Sequence, residues 1–192
     1  MTIESLLPFI KEIDRLKKIE RQALIHNGGR RENSAEHSWH LAMTVLVLEK
    51  TSPEKIDIAK AVKMALLHDI VEIDAGDTMV YGDLSNKKDS EAAALERIMG
   101  LLPETIANEF KSLWNEFEEG VSPEAKFVSA IDRFMPIFSN YLNEGYSWKN
   151  HKVTVDKVVA KCQPPISEGL PKLWKVTERM LEESVAAGHL AR

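Results

Sequence analysis

Apolar residues in this chain recur every three or four positions almost from end to end, and no long stretch alternates apolar with polar. Side chains three and four apart share one face of a helix, whereas those of a strand alternate between faces. The pattern therefore predicts helices. Ile3, Leu6, Leu7, Ile10, Ile13 and Leu16 make one apolar stripe. Asn33 and Glu36 have capping-box spacing and open a second helix, continued by Leu41, Val45 and Leu48. Ser52 as N-cap and Pro53 in the first turn open a third, with Ile58, Val62, Ala65 and Leu66 along it and an end near Glu72. Residues 73–86, with Gly76, Gly82, Asp74, Asp77 and Asp83, break the pattern and read as a loop. Helix returns over 88–99, again from Pro103 through Trp114 and Phe117, and again from Ser122-Pro123-Glu124 through Phe127, Val128, Ile131, Met135 and Phe138. Pro136 is expected to kink that helix. A short helix over 154–161, a turn at Pro164-Pro165 and a last helix capped by Ser167 and running through Leu181 complete the chain. The expectation is an all-α fold of about seven or eight helices in one domain over 1–192, with the segments of 153–187 packing on the rest.

Several chemistries are excluded. A single cysteine, Cys162, allows no disulfide framework and no cysteine-based zinc site within the chain. A net charge of −5 argues against a bulk basic surface, hence against nucleic-acid and membrane partners. No run approaches the ~20 apolar residues of a membrane span. The first residues, interrupted by Glu4, Pro8 and Lys11, do not read as a signal peptide, so the expected location is cytoplasmic. There is no Gly-rich phosphate loop, Gly28-Gly29 being only a turn signal, and no G-x-S-x-G or H-E-x-x-H string. No histidine has a glutamate three residues before it, which removes the di-iron bundle motif.

Four residues remain in places where local chemistry and burial conflict. Asp69 lies eleven residues after Ile58, about three helical turns, so it falls on the apolar stripe of the third helix. Asp132 stands four residues after Val128 and three before Met135, near the buried side of its own helix. A carboxylate there is costly unless paired or bound to a cation. His68 adjoins Asp69, and His37 lies in the first turn of the second helix, just before an apolar run. Two imidazoles and two carboxylates form a mixed N/O donor set that suits Mn²⁺, Co²⁺, Fe²⁺ or Zn²⁺ better than Ca²⁺. The ordinary alternatives are a histidine that caps or is solvated and an aspartate tied to a nearby arginine, for which Arg133 adjoins Asp132.

The order His37, His68-Asp69, Asp132 in an all-helical chain resembles the HD superfamily of metal-dependent phosphohydrolases. The strings L-L-H-D-I-V-E-I-D-A-G-D from Leu66 and R-x-E-N-S-A-E-H over 30–37 resemble its 5′-deoxynucleotidase branch. The similarity implies an HD-type helical bundle whose core motifs run over 21–132. It implies that His37, His68, Asp69 and Asp132 hold one divalent metal ion per chain, and that Glu72 and Asp77 serve the proton chemistry. Arg21 falls where the family places a phosphate-orienting arginine. The implied substrate contacts are Arg21, Gln22, Asp77, Thr78, Met79 and Val80. The implied activity is hydrolysis of (deoxy)nucleoside 5′-monophosphates to nucleoside and phosphate, with a cyclic or signalling nucleotide, or a non-catalytic metal-bound module, as alternatives. The resemblance also favours a homodimer.

The side-chain chemistry agrees with these assignments. Glu72, four residues after His68 and three after Asp69, shares their helix face and would stand beside a cation-activated water. Arg21 carries the fixed donors that grip a phosphate bidentately, although Glu20 and Asp14 are available for an ordinary salt bridge. Arg30 and Arg31 read as structural or field-setting. In the bacterial nucleotidases an aromatic follows the phosphate arginine and presses on the sugar; here the residue is Gln22, an amide able to bond a hydroxyl. Trp114, Phe117, Tyr141, Tyr146 and Trp148 would serve either an oligomer interface or, as aromatics at helical spacing usually do, the core.

Overall fold

The computed structural model describes residues 2–77 and 87–192. Its first helix, α1 (Leu7–Ile13), ends in a tight turn that leads not into another helix but into a small antiparallel hairpin, β1 (Glu20–Leu24) and β2 (Arg31–Asn33). The pairing sets Glu20 opposite Asn33 and Leu24 opposite Arg31, with a bulge between. Its turn uses left-handed residues at Asn27 and Gly28, with φ of 67° and 70°. No strand was expected. Strands of five and three residues, rich in charge and bulged, are too short to display the alternation that identifies a strand.

Helix α2 (Ser34–Leu48) starts with both halves of its capping box formed. Glu36 N donates to Asn33 Oδ1 at 3.0 Å, and Asn33 N donates to Glu36 Oε2 at 3.1 Å. Helix α3 (Ile58–Leu67) starts later than its sequence suggests. Asp57 is its N-cap, accepting from Ala59 N and Lys60 N, while Ser52 turns the preceding loop by donating to the Glu54 carbonyl. It also ends earlier, at Leu67, and Glu72 opens a separate single turn, α4 (Glu72–Ala75).

Helices α5 (Lys87–Met99) and α6 (Glu104–Glu119) follow, and α6 is closed by a left-handed Gly120 at φ 65°. Helix α7 (Pro123–Leu142) starts at Ser122, whose hydroxyl accepts from Ala125 N at 3.3 Å, and continues past Pro136. It is the axis of the molecule, packing against α2, α3, α6, α9 and α10. Phe127, Val128 and Ile131 on its inner face are essentially inaccessible.

A short α8 (Tyr146–Asn150) leads to α9 (Val155–Gly169) and α10 (Pro171–Ala186). Here the structure corrects the sequence reading twice. Pro164 and Pro165 lie inside α9 rather than in a turn, and α10 starts at Pro171 rather than after Ser167. Val158, Cys162 and Ile166 are buried in one face of α9 while Pro164 stands on the exposed one, so packing on α7 overrides the local cost of the prolines. That packing is close: a Cβ on Gly169 would lie 2.0 Å from the Lys126 carbonyl oxygen. Trp114 and Trp148 are buried, Phe117 and Tyr141 half-buried, and Tyr146 exposed, so these aromatics belong largely to the interior. Among the described residues, no helix is long and apolar enough to cross a membrane.

Candidate metal centre

The centre is assembled from the hairpin, from the ends of α2, α3 and α4, and from the middle of α7. His68 is the C-cap of α3, where the chain leaves helical repeat and can turn two neighbouring side chains toward one point. Its Nδ1 stands 2.9 Å from the Ala65 carbonyl oxygen, which only accepts, so Nδ1 carries a proton. Its Nε2 is buried and has no hydrogen-bond partner. Asp69 Oδ1 lies 3.1 Å from that nitrogen and Asp132 Oδ1 lies 3.6 Å from it. The Phe117 ring packs edge-on against the His68 imidazole, and Trp114 Nε1 donates to the His68 carbonyl at 3.0 Å.

His37, in the first turn of α2, is buried and turns Nε2 inward, 3.0 Å from Asp132 Oδ1 and 4.0 Å from Asp69 Oδ2. Its other nitrogen, Nδ1, faces Glu32 Oε2 at 3.5 Å. A carboxylate behind a ligating imidazole fixes the tautomer and raises its basicity. Ligand atoms of His37, His68 and Asp69 lie within 4.8 Å of one another. Donors bound at about 2.1 Å to a single ion stand about 3–4 Å apart. The inward-facing Nε2 of His68, without a hydrogen-bond partner, and the mixed N/O donor set therefore fit a divalent cation at this point. Among the described residues it is the single cluster with that geometry.

The electrostatics express the same crowding. Burial alone disfavours a charged His68, but the Asp69 and Asp132 carboxylates outweigh it and push its pKa up to about 10. Burial alone would raise the two aspartates, yet the imidazoles, and Arg21 beside Asp69, hold both below the ordinary carboxylate range. Glu72 is the exception: burial and then the Asp69 charge push it up to about 8. Ser34 Oγ donates to its Oε2 at 2.6 Å. Burial likewise raises Asp77.

Arg21, on β1, points into this group. Its Nη1 donates to Asp69 Oδ2 at 2.6 Å and lies 3.8 Å from Glu72 Oε1 and 3.9 Å from Asp77 Oδ1, so Glu20 and Asp14 are not its partners. Gln22 lines the same cavity, with Oε1 3.2 Å from His151 Nε2. Asp132 is bonded to His37, not to its neighbour Arg133, whose side chain makes no hydrogen bond or ion pair with any described residue. Thr78, Met79 and Val80 lie outside the described residues. The whole encloses a cavity of about 150 Å³.

Two members went unforeseen, Glu32 and Ser34. Both sit in the string over 30–37, whose residues now have separate tasks. Arg30 holds Glu36 at 2.5 and 2.8 Å, Asn33 and Glu36 cap α2, Glu32 backs His37, and Ser34 bonds Glu72.

Comparison with known proteins gives a consistent relationship. Residues 13–174 match the family model described as HD domain. A crystal structure of a predicted metal-dependent phosphohydrolase from Magnetospirillum magnetotacticum MS-1 superposes with a TM-score of 0.94 at 41% identity, covering 99% of this chain and 96% of that one. The 5′-deoxynucleotidase HDDC2 of Homo sapiens is 31% identical over 132 residues, 67% of this chain, and that of Xenopus laevis is 30% identical over 133 residues, 68% of this chain. The chain spans 63–65% of the length of these two relatives.

Proposed function

This chain belongs to the HD-domain family, and from that premise we propose that it is a divalent-metal-dependent phosphomonoesterase that converts (deoxy)nucleoside 5′-monophosphates to nucleoside and phosphate, working in the cytoplasm as one HD domain over 1–192. The observation that carries this reading is the buried, unpartnered His68 Nε2, facing two carboxylates and a second imidazole. In this reading His37, His68, Asp69 and Asp132 hold one ion per chain, of the Mn²⁺, Co²⁺, Fe²⁺ or Zn²⁺ type. When bound, such an ion supplies Lewis-acid chemistry, lowering the pKa of a water and neutralising phosphate charge.

The chain's own residues do the rest. Arg21 offers a charged fork to the phosphate oxygens, and charge-assisted bonds of this kind hold both the ground state and the developing transition-state charge. Glu72, with a pKa of about 8, keeps its proton near neutrality and delivers it to the leaving 5′-oxygen. Asp77, 3.9 Å from Arg21 Nη1, orients the attacking water. Gln22 presents an amide where the substrate sugar would lie, and Thr78, Met79 and Val80 complete the substrate contacts. The similarity to the 5′-deoxynucleotidases supports a nucleotide over other phosphomonoesters. A homodimer belongs to the same reading, supported by Trp39, Met43 and Val47, exposed along one face of α2.

The test is a metal analysis of the purified protein followed by a phosphate-release screen over nucleoside and deoxynucleoside monophosphates, with and without a chelator. Release should stop on chelation and return with Mn²⁺ or Co²⁺. Glu72→Gln should retain the ion and lose about 10²-fold or more in kcat, the usual worth of a positioned general acid. Full turnover in that variant refutes its role; no release with any metal or nucleotide refutes the activity.

A further inference from the structure

The cavity contains a cation that the proposed chemistry leaves unused. Arg133 follows Asp132 directly on α7, is half-buried, and lines the same cavity. Neighbouring helical residues point about 100° apart. If Asp132 faces the ion position, Arg133 stands on the wall beside it.

The other arginine is already committed. Arg21 bonds Asp69, and three further carboxylates, Glu32, Glu72 and Asp77, stand within 3.9 Å of its guanidinium. Seven acidic side chains line the cavity beside two guanidiniums. Even with Glu72 protonated, a phosphate dianion there meets more carboxylates than arginines. Arg133, whose donors bond no described residue, is the lining cation with its charge still unspent. A planar guanidinium with free donors matches two phosphate oxygens bidentately.

Resting on the phosphomonoesterase reading, we propose that Arg133 is a second phosphate-positioning arginine, holding non-bridging oxygens of the substrate phosphate from the α7 side while Arg21 holds them from the β1 side. Its contact is with the phosphate and not with the nucleoside. It therefore acts alike on substrate and on inorganic phosphate, the product. Because it bonds nothing else in the described chain, its loss leaves the fold and the metal content as they are.

The experiment measures inorganic phosphate binding to the Mn²⁺-loaded full chain by calorimetry, alongside KM and kcat for dAMP, in wild type, Arg133→Gln and Arg133→Lys. A lost charge-assisted bond of ~1.5–3 kcal/mol corresponds to a factor of about ten to a hundred. In Arg133→Gln the phosphate Kd and the KM for dAMP should both rise by at least about tenfold. Arg133→Lys, which keeps the charge without the fork, should recover part of the loss, and melting temperature and bound metal should match wild type. A rise in KM with an unchanged phosphate Kd assigns the residue to the nucleoside and overturns the proposal. So does a Gln variant with unchanged values, a wild type that binds no phosphate, or a loss that tracks a fall in melting temperature. Phosphate binding needs no turnover. A wild type that hydrolyses no nucleotide yet binds phosphate through Arg133 refutes the parent activity and leaves this assignment standing.

Discussion

Glu32 offers the sharpest test of how the metal centre is built, because it touches the centre only through His37. Its Oε2 lies 3.5 Å from His37 Nδ1, and the imidazole between it and the cluster is buried. A hydrogen bond to a charged group contributes ~1.5–3 kcal/mol and a neutral one ~0.5–1.5 kcal/mol. At 3.5 Å the contact is longer than an ordinary N–H···O bond, which places it at the lower end of the charged range. Glu32→Gln keeps an acceptor oxygen and removes the charge, a loss of about 1 kcal/mol, or about fivefold in metal affinity. Glu32→Ala also leaves Nδ1–H without its acceptor and lets the ring turn. The cost there is about 2 kcal/mol, about thirtyfold, inside the 10–100-fold range common for residues behind a metal ligand. Mn²⁺ affinity is read by competition with a chromophoric chelator, and circular dichroism checks that helix content is unchanged. The expected order is wild type, Gln, Ala. An alanine variant that binds Mn²⁺ within twofold of wild type, with helix content intact, refutes the claim that Glu32 orients His37.

Two further outcomes follow from packing and from proton linkage. Gly169→Ala drives a methyl into the Lys126 carbonyl, and overpacking of this kind costs about 3 kcal/mol, so thermal unfolding should show Tm lower by about 6–12 °C; an unchanged Tm means that α9 and α7 separate freely. His68 holds its proton up to about pH 10 in the metal-free protein, while an ion needs Nε2 bare, so metal uptake at pH 7.5 must expel that proton and affinity must rise with pH across this range. Calorimetry in buffers of different ionisation heat should report about one proton released per ion from His68, and a release of zero contradicts the ligand assignment.

Local signals in the sequence proved readable and tertiary ones did not. The capping box at Asn33 and Glu36 and the Ser122-Pro123 start depend on residues within one turn of each other, and both are present as expected. The start of α3 depends on more. Ser52 and Asp57 are both good caps, and Glu124, 67 positions further on, accepts from Asp57 N at 2.8 Å and anchors the later one. Pro164-Pro165 reads locally as a turn, but the buried stripe of Val158, Cys162 and Ile166 carries the helix through it. In the site, Asp69 and Asp132 are legible because a carboxylate on an apolar stripe contradicts its surroundings. Glu32 contradicts nothing. It lies on a strand without periodicity, and its partner His37 becomes a neighbour through the turn into α2.

The division between these residues has a physical basis. Arg21 and Glu32 sit on the bulged hairpin, His37 in the first turn of α2, His68 at the cap of α3 and Glu72 at the first position of α4. At such places backbone groups are not bound into a repeating ladder, and the chain can bend to aim a side chain. Asp132 alone stands in the middle of a long helix, next to the fully buried Ile131. There it has no freedom to adjust, and the core on the inner face of α7 fixes its position. A charge so placed is tolerable only if partners come to it, and His37 and His68 do, at 3.0 and 3.6 Å. The core thus sets one proposed ligand rigidly, and the pliable ends of the other segments are drawn in around it. If Asp132 holds the ion, substitutions in the α7 core should disturb the centre through it before they disturb it through any other proposed ligand.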